Sequence, residues 1–358
     1  MNTSYAPIFE LTRGKLPESY HFGAAAVVNA RGQLIAWYAN PETVTYLRSS
    51  AKPFQILPFL EHGGQKAFEL SLRELALICA SHHGTDEHVE VVRGIQAKTG
   101  VVEADLLCGV HSPAHKPTTD AMRQRGEKAT PNRNNCSGKH TGMVAHARLH
   151  DLPYEDYINP AHPIQQEILA AFAQMCTVQP QDIAIGIDGC SAPNFALSLR
   201  SAALGFARLC DPEGQASARA EACQTVVEAM TSNPYMVGGP ESFDTDLMQA
   251  TQGRILSKGG AEGYQAMAVR PGVLGAGSPG LGIAFKVSDG DLAGHSRSSG
   301  EPHGTARPAV ALEILRQLGA ITAAELQALA DYGPCFELRN LRRLLIGQAR
   351  PCFTLQRE

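Results

Sequence analysis

Residues 23–39, GAAAVVNARGQLIAWYA, hold two apolar runs on either side of Asn29-Ala30-Arg31-Gly32. That turn chemistry predicts a β-hairpin. From about residue 49 to 231 helical periodicity takes over. LRELALICAS (72–81), HVEVVRGIQAKTG (88–100), GKHTGMVAHARLH (138–150) and PIQQEILAAFAQM (163–175) all read as helices, the second closed by a glycine. Strand character returns between 252 and 290 in GRILSK, YQAMAV and LGIAFKVSDG, separated by glycine-rich turns. RPAVALEILRQLG (307–319) predicts a late helix, and no repeat, low-complexity tract or linker breaks the chain.

Strands at both ends with helices between them predict an α+β fold, a mixed sheet drawn from N- and C-terminal segments with an inserted helical lobe. The expected organisation is one two-lobed domain over 1–358, the sheet lobe from about 1–48 and 232–358 and the helical lobe about 49–231. A cleft between sheet and helices is then the natural place for a small substrate.

Composition narrows the function. Of 358 residues 44% are hydrophobic, ample for a large core, and a formal charge of −4 offers no footprint for nucleic acid. No stretch approaches the length of a membrane span, and MNTSYAPIFELTRGK lacks a basic region followed by a long apolar run. Nine cysteines without regular close spacing read as reduced thiols. The expectation is a cytoplasmic globular protein that binds neither nucleic acid nor membrane.

RSSAKPFQ (48–55) places Ser49 and Lys52 three apart where a helix begins, so that both lie on one face. A neutral amine there can take the hydroxyl's proton and activate it as a nucleophile. The plainer reading is an N-cap serine and a surface lysine. Serine β-lactamases and penicillin-binding proteins combine Ser-x-x-Lys at a helix start with a second serine on the helical lobe and Lys-Thr-Gly on a strand. Here Ser81 of Ser81-His82-His83-Gly84 follows about thirty residues later, and Lys258-Gly259-Gly260 sits at a strand end. The two glycines would let a substrate approach the backbone. Taken singly, Ser81 is a helix-end residue and Lys258 a turn lysine; their order favours catalysis.

PNRNNCSGKHTGM (131–143) is the densest polar segment, with Asn134, Asn135, Cys136, Ser137, Lys139, His140 and Thr141 leading into an apolar helix. Such groups must be satisfied, by an elaborate cap or by a ligand. In GIDGCSAPNFAL (186–197) an apolar strand delivers Asp188 and Cys190 into a turn. Cys136 and Cys190 could be a metal pair, a disulfide or two unrelated thiols, and no Cys-x-x-Cys or recognised histidine spacing stands beside them. His82, His83, His111, His115 and His140 read mostly as satisfied polar histidines. GPESFDT (239–245) and GVLGAGSPGLGIA (272–284) are loops suited to a cleft wall; the latter is followed by strand rather than helix and is no dinucleotide fingerprint.

The set TRGKLPESYHFGAAAVV, RSSAKPFQ, CASHHG, NNCSGKHTGM, IDGCSAPNFAL, SKGGAEG and SPGLGIAFKVSDG resembles the asparaginase II family, the class 3 or rhizobial-type asparaginases, from about residue 8 to the last helices. The resemblance implies a fold similar to serine β-lactamases and glutaminases, and hydrolysis of L-asparagine to L-aspartate and ammonia. It implies two serine–lysine pairs, Ser49 with Lys52 and Ser81 with Lys258. It further implies Zn²⁺ beside them, on Cys136, Lys139 and Cys190 with Asp188 close by, and a homodimer. Arg48 matches a family position near the substrate, and Asp188 and His140 join it as substrate-binding candidates. The chain departs from the family pattern at His83-Gly84-Thr85 and at Ser242 before Phe243. Two further readings stand beside this one. The first is another serine amidohydrolase, a glutaminase or β-lactam hydrolase. The second is a catalytically silent zinc- or small-molecule-binding protein.

Overall fold

The computed structural model describes residues 4–290 and 306–357. The fold is α+β. Its chain divides into two compact units, one of Met1–Ser50, Leu197–Asp211 and Ala250–Glu358, the other of Ala51–Ala196 and Pro212–Gln249.

The first unit is built on an antiparallel sheet with nine strands among the described residues. Its main path runs Phe336–Arg339, Leu345–Pro351, Ala6–Arg13, Leu16–Asn29, Leu281–Val287, Tyr264–Val269 and Ile255–Gly260. Leu34–Tyr38 branches from Leu16–Asn29 and pairs in turn with Gln356–Arg357. The predicted hairpin forms because Asn29 Oδ1 accepts hydrogen bonds from Arg31 N at 3.0 Å and Gln33 N at 3.1 Å. Strand Tyr264–Val269 is buried at every position, so both faces of the sheet are covered there. The helices Leu199–Cys210 and Ala306–Leu318 pack on it.

Helices dominate the second unit. Leu72–Ile78 starts at a capping box between Ser71 and Glu74, and Asp86–Thr99 runs from a Thr85 cap to Gly100. Ser137–Leu149 lies against both of these helices and against Pro163–Cys176, and it is buried at eleven consecutive positions, Ser137 to Ala147. It crosses Leu72–Ile78 at Gly138, where an added Cβ would meet Leu77 O at 2.2 Å. Ala184–Ile187 pairs antiparallel with Pro193–Ala196, and the turn between them carries Asp188 and Cys190. Among the described residues no helix is long and apolar enough to cross a membrane.

Candidate active site

In the first unit the chain enters RSSAKPFQ through Arg48, whose φ of 50° is left-handed. A non-glycine residue there carries about 1–3 kcal/mol of strain. Arg48–Ala51 is a 3₁₀ turn and the α-helix begins only at Lys52, so Ser49 projects from a tight turn ahead of the helix. Its hydroxyl is part-exposed and makes no hydrogen bond among the described residues. Ser50 is fully buried and donates to Lys258 O at 2.6 Å. Strand Ile255–Gly260 presses against this turn. A Cβ on Gly260 would come 2.3 Å from Leu47 O and 3.1 Å from Ser50 Oγ. The close approach of strand and serine turn by itself calls for glycine at 260. Lys258 is buried, its Nζ donating to Gly259 O at 2.8 Å. Arg48 lines a surface pocket of this unit with Glu262, Lys286 and Asp289.

In the second unit Lys52 is 1% exposed. Its Nζ lies 2.9 Å from Ser81 Oγ, 3.5 Å from Asn135 O and in a short contact with Ala80 O. The predicted helix over 72–81 stops at Ile78, which leaves the Ala80 carbonyl outside the helix and able to accept from the amine. Ser81 N is held to Val237 O at 3.0 Å. An amine facing two carbonyls can donate to both and turn its lone pair to a hydroxyl, the arrangement that receives a proton.

A second lysine–nucleophile contact lies on the Ser137–Leu149 helix. Lys139 Nζ is 2.9 Å from Cys190 Sγ, and both side chains are buried. Cys136 is a free thiol with Cys190 as its hydrogen-bond partner. That bond holds the Cys136 thiol well below its ordinary range; burial opposes it, and Lys52 and Lys139 reinforce it. The same bond pushes Cys190 up. Burial draws Lys139 down, but Cys190 and Cys136 outweigh it and raise the amine. Asp188 approaches Cys190, Oδ2 to Sγ 3.9 Å. Asn134 Oδ1 fixes the loop entering the helix by accepting from Cys136 N at 2.8 Å.

His140 stands behind the thiols. Tyr157 OH accepts from Leu107 N at 2.9 Å and is hydrogen-bonded to His140 Nδ1, 2.5 Å away. His140 Nε2 is buried with no hydrogen-bond partner among the described residues, while Cys190 acts on the ring. Burial brings its pKa down to about 4. Two thiols, one amine and an orphaned imidazole nitrogen in one place form a donor set that fits Zn²⁺. The other histidines singled out in the sequence are engaged. His82 Nδ1 accepts from Gly84 N at 3.1 Å, so its Nε2–H donates to Ser137 Oγ at 2.9 Å. His83 Nδ1 is 2.9 Å from Pro240 O, His115 Nδ1 is 2.8 Å from Thr118 Oγ1, and His111 Nε2 accepts from Asn135 N at 3.0 Å.

A family profile described as L-asparaginase II matches residues 9–351. The chain belongs to that family. Membership makes it an amidohydrolase. No curated protein sequence matches it. Among solved structures it is similar to a Bacillus subtilis glutaminase in covalent complex with 5-oxo-L-norleucine, at 11% identity, 78% of this chain and 84% of that one, and a TM-score of 0.34. A second is a Bacteroides dorei protein described as a putative β-lactamase, at 14% identity, 74% and 84% coverage and a TM-score of 0.38.

The structure also brings together residues that sequence reasoning missed. His62, His146, His150 and Glu167 each place one ligand atom within 4.8 Å of the others. The available signal was the pair His146 and His150, four apart and so on one helix face.

Proposed function

We propose that this amidohydrolase cleaves the side-chain amide of L-asparagine to give L-aspartate and ammonia, using Ser49 with Lys52 and Ser81 with Lys258 as its serine–lysine pairs. The observation that carries the reading is Lys52, a buried amine 2.9 Å from the Ser81 hydroxyl. Its direct bond is to the second serine, and Ser49 is the neighbouring hydroxyl, unbonded among the described residues; two backbone carbonyls and Cys136 complete its surroundings. Ser49 is the nucleophile in this reading, since its part-exposed hydroxyl stands on a strained turn directly after Arg48. The serine oxygen bonds to the amide carbon as its proton passes to the lysine amine. The carbon–nitrogen bond then breaks while the lysine returns that proton to the leaving nitrogen, giving ammonia and a serine ester. Water repeats the sequence: its oxygen bonds to the ester carbon, lysine carries the proton to the departing serine, and aspartate leaves.

Arg48 and Asp188 remain the substrate-contact candidates, whereas the burial of His140 and its bond to Tyr157 suit it to positioning Cys190. Cys136, Lys139 and Cys190 would hold Zn²⁺, whose charge, when bound, orients the polar ends of the substrate. For Lys139 to become a ligand it must release its proton, so loading should strengthen as pH rises. A cytoplasmic homodimer completes the proposal.

The test is ammonia release from asparagine and glutamine and hydrolysis of a β-lactam, with zinc content measured on the same samples. Ser49→Ala should lower asparagine turnover by about 10³-fold or more with the fold intact. Retention of more than about a tenth of wild-type turnover transfers the nucleophile role to Ser81. A wild-type chain that hydrolyses glutamine or the β-lactam but not asparagine overturns the substrate.

A further inference from the structure

We propose that His62, His146, His150 and Glu167 form a second metal site, separate from the thiols and taking one first-row divalent ion, with Zn²⁺ the best fit. The site is assembled from three helices. His146 lies on Ser137–Leu149 and His150 caps its C-terminus, His62 caps Leu57–Glu61, and Glu167 comes from Pro163–Cys176.

The distances suit a tetrahedral ion. His62 Nδ1 is 2.7 Å from His150 Nε2, His146 Nε2 is 3.1 Å from Glu167 Oε2, and His62 Nδ1 is 3.7 Å from Glu167 Oε2. Four ligands about 2.0–2.1 Å from a zinc ion stand about 3.3 Å from one another, so small side-chain shifts suffice. Three imidazoles and one carboxylate are a zinc-type donor set; calcium and magnesium call for oxygen.

A second, independent observation points the same way. His146 is 1% exposed, yet its Nε2 and the neighbouring Glu167 Oε2 have no hydrogen-bond partner among the described residues. The two atoms are close, but they lack the alignment of a hydrogen bond with each other. Leaving such a buried group unpaired costs about 1–3 kcal/mol. A cation between them satisfies both atoms. Packing already orients the rings: His146 stands edge-on to Phe59 with centroids 6.0 Å apart, and His62 edge-on to His150 at 4.6 Å. His62 and Glu167 are 40% and 37% exposed, so an ion can enter from solvent.

The site is tested on the whole chain, stripped with a chelator and reloaded with ZnCl₂ alone. His62→Ala/His150→Ala, which removes two exposed rings, should bind one equivalent of zinc fewer than wild type. In Cys136→Ser/Cys190→Ser the remaining zinc should still raise Tm, and adding the two histidine changes should abolish that rise. Cobalt(II) loaded into the cysteine variant should give tetrahedral visible bands without the thiolate-to-cobalt charge-transfer band. If the histidine variant does not fold, Glu167→Gln replaces it and should weaken zinc binding at least about tenfold. Unchanged stoichiometry in the histidine variant, or only the weak octahedral spectrum of cobalt in the cysteine variant, overturns the site. Turnover of asparagine bears on neither outcome.

Discussion

Lys52 and Lys139 are both buried in the helical unit, and each places Nζ 2.9 Å from a nucleophilic side-chain atom, Ser81 Oγ in one case and Cys190 Sγ in the other. Distance and burial therefore do not separate them. The company each amine keeps does. Lys52 has a hydroxyl, Ser81 Oγ, and the Ala80 and Asn135 carbonyls around it, with Cys136 as its sulfur neighbour. Lys139 bonds to sulfur, Cys190 Sγ, and the two cysteines together raise the amine. The first arrangement offers the amine a hydroxyl to exchange a proton with; the second offers sulfur alone, and a metal there requires the raised amine to release its proton.

The largest expected effect tests this contrast directly. Lys52→Arg keeps a cation but cannot give up its proton, so kcat on asparagine should fall about 10³-fold or more, as far as in Lys52→Met. An active Lys52→Arg enzyme would show that the position needs charge only, and the two lysines would then be alike. Stability should rank them the other way. Lys139→Met in chelator-treated protein removes the amine bonded to buried Cys190 and should cost about 3–5 kcal/mol. Lys52→Met strands two carbonyls and the Ser81 hydroxyl while Lys139 stays beside the thiols, at about 1–3 kcal/mol. Urea denaturation of both variants reads the order, and a reversed order breaks the comparison.

The smallest effect extends the same rule to a neighbouring ring. Burial draws His88 down to about 4, with Thr85 N donating to its Nδ1 and Tyr235 O accepting from Nε2. Below the ordinary histidine value of 6.5 the unfolded chain takes up a proton that the folded ring refuses. Stability is thus lost as pH falls from 6.5 toward about 4, by up to about 1.4 kcal/mol per pH unit for this histidine. His88→Gln should flatten the difference between urea midpoints at pH 7 and pH 5; an unchanged slope removes His88 from the acid response.

Chain pattern revealed the larger elements because their burial follows a period. Strands Ile255–Gly260, Tyr264–Val269 and Leu281–Val287 and the helices Asp86–Thr99 and Pro163–Cys176 stand where the alternation and helical spacing place them. Phe243–Ala250 was hidden in a loop reading, since Pro240 and two aspartates of its first turn look like loop chemistry. The convergence of Cys136, Lys139 and Cys190 could be argued from family motifs alone; no sequence period relates a helix N-terminus to a turn some fifty residues later. The partners of His146 were invisible for the same reason, as His62 and Glu167 lie on other helices. The approach of Leu47 O to Gly260 was equally hidden, because sequence reports a missing side chain without naming the atom that occupies its space.

The Ser137–Leu149 helix has no outward face, and that bears on how the chain reaches its native state. Ser137, Lys139, His140 and His146 are all taken out of water, and their partners or near neighbours are His82, Asn132, Tyr157, Glu167 and Cys190, drawn from separate stretches of chain. A docked helix without those stretches would strand several polar groups at once, each at about 1–3 kcal/mol. Partial assembly is therefore penalised, and docking of the helix is expected to be cooperative with that of its neighbours. Its backbone amides exchange with solvent only when the whole helical unit opens.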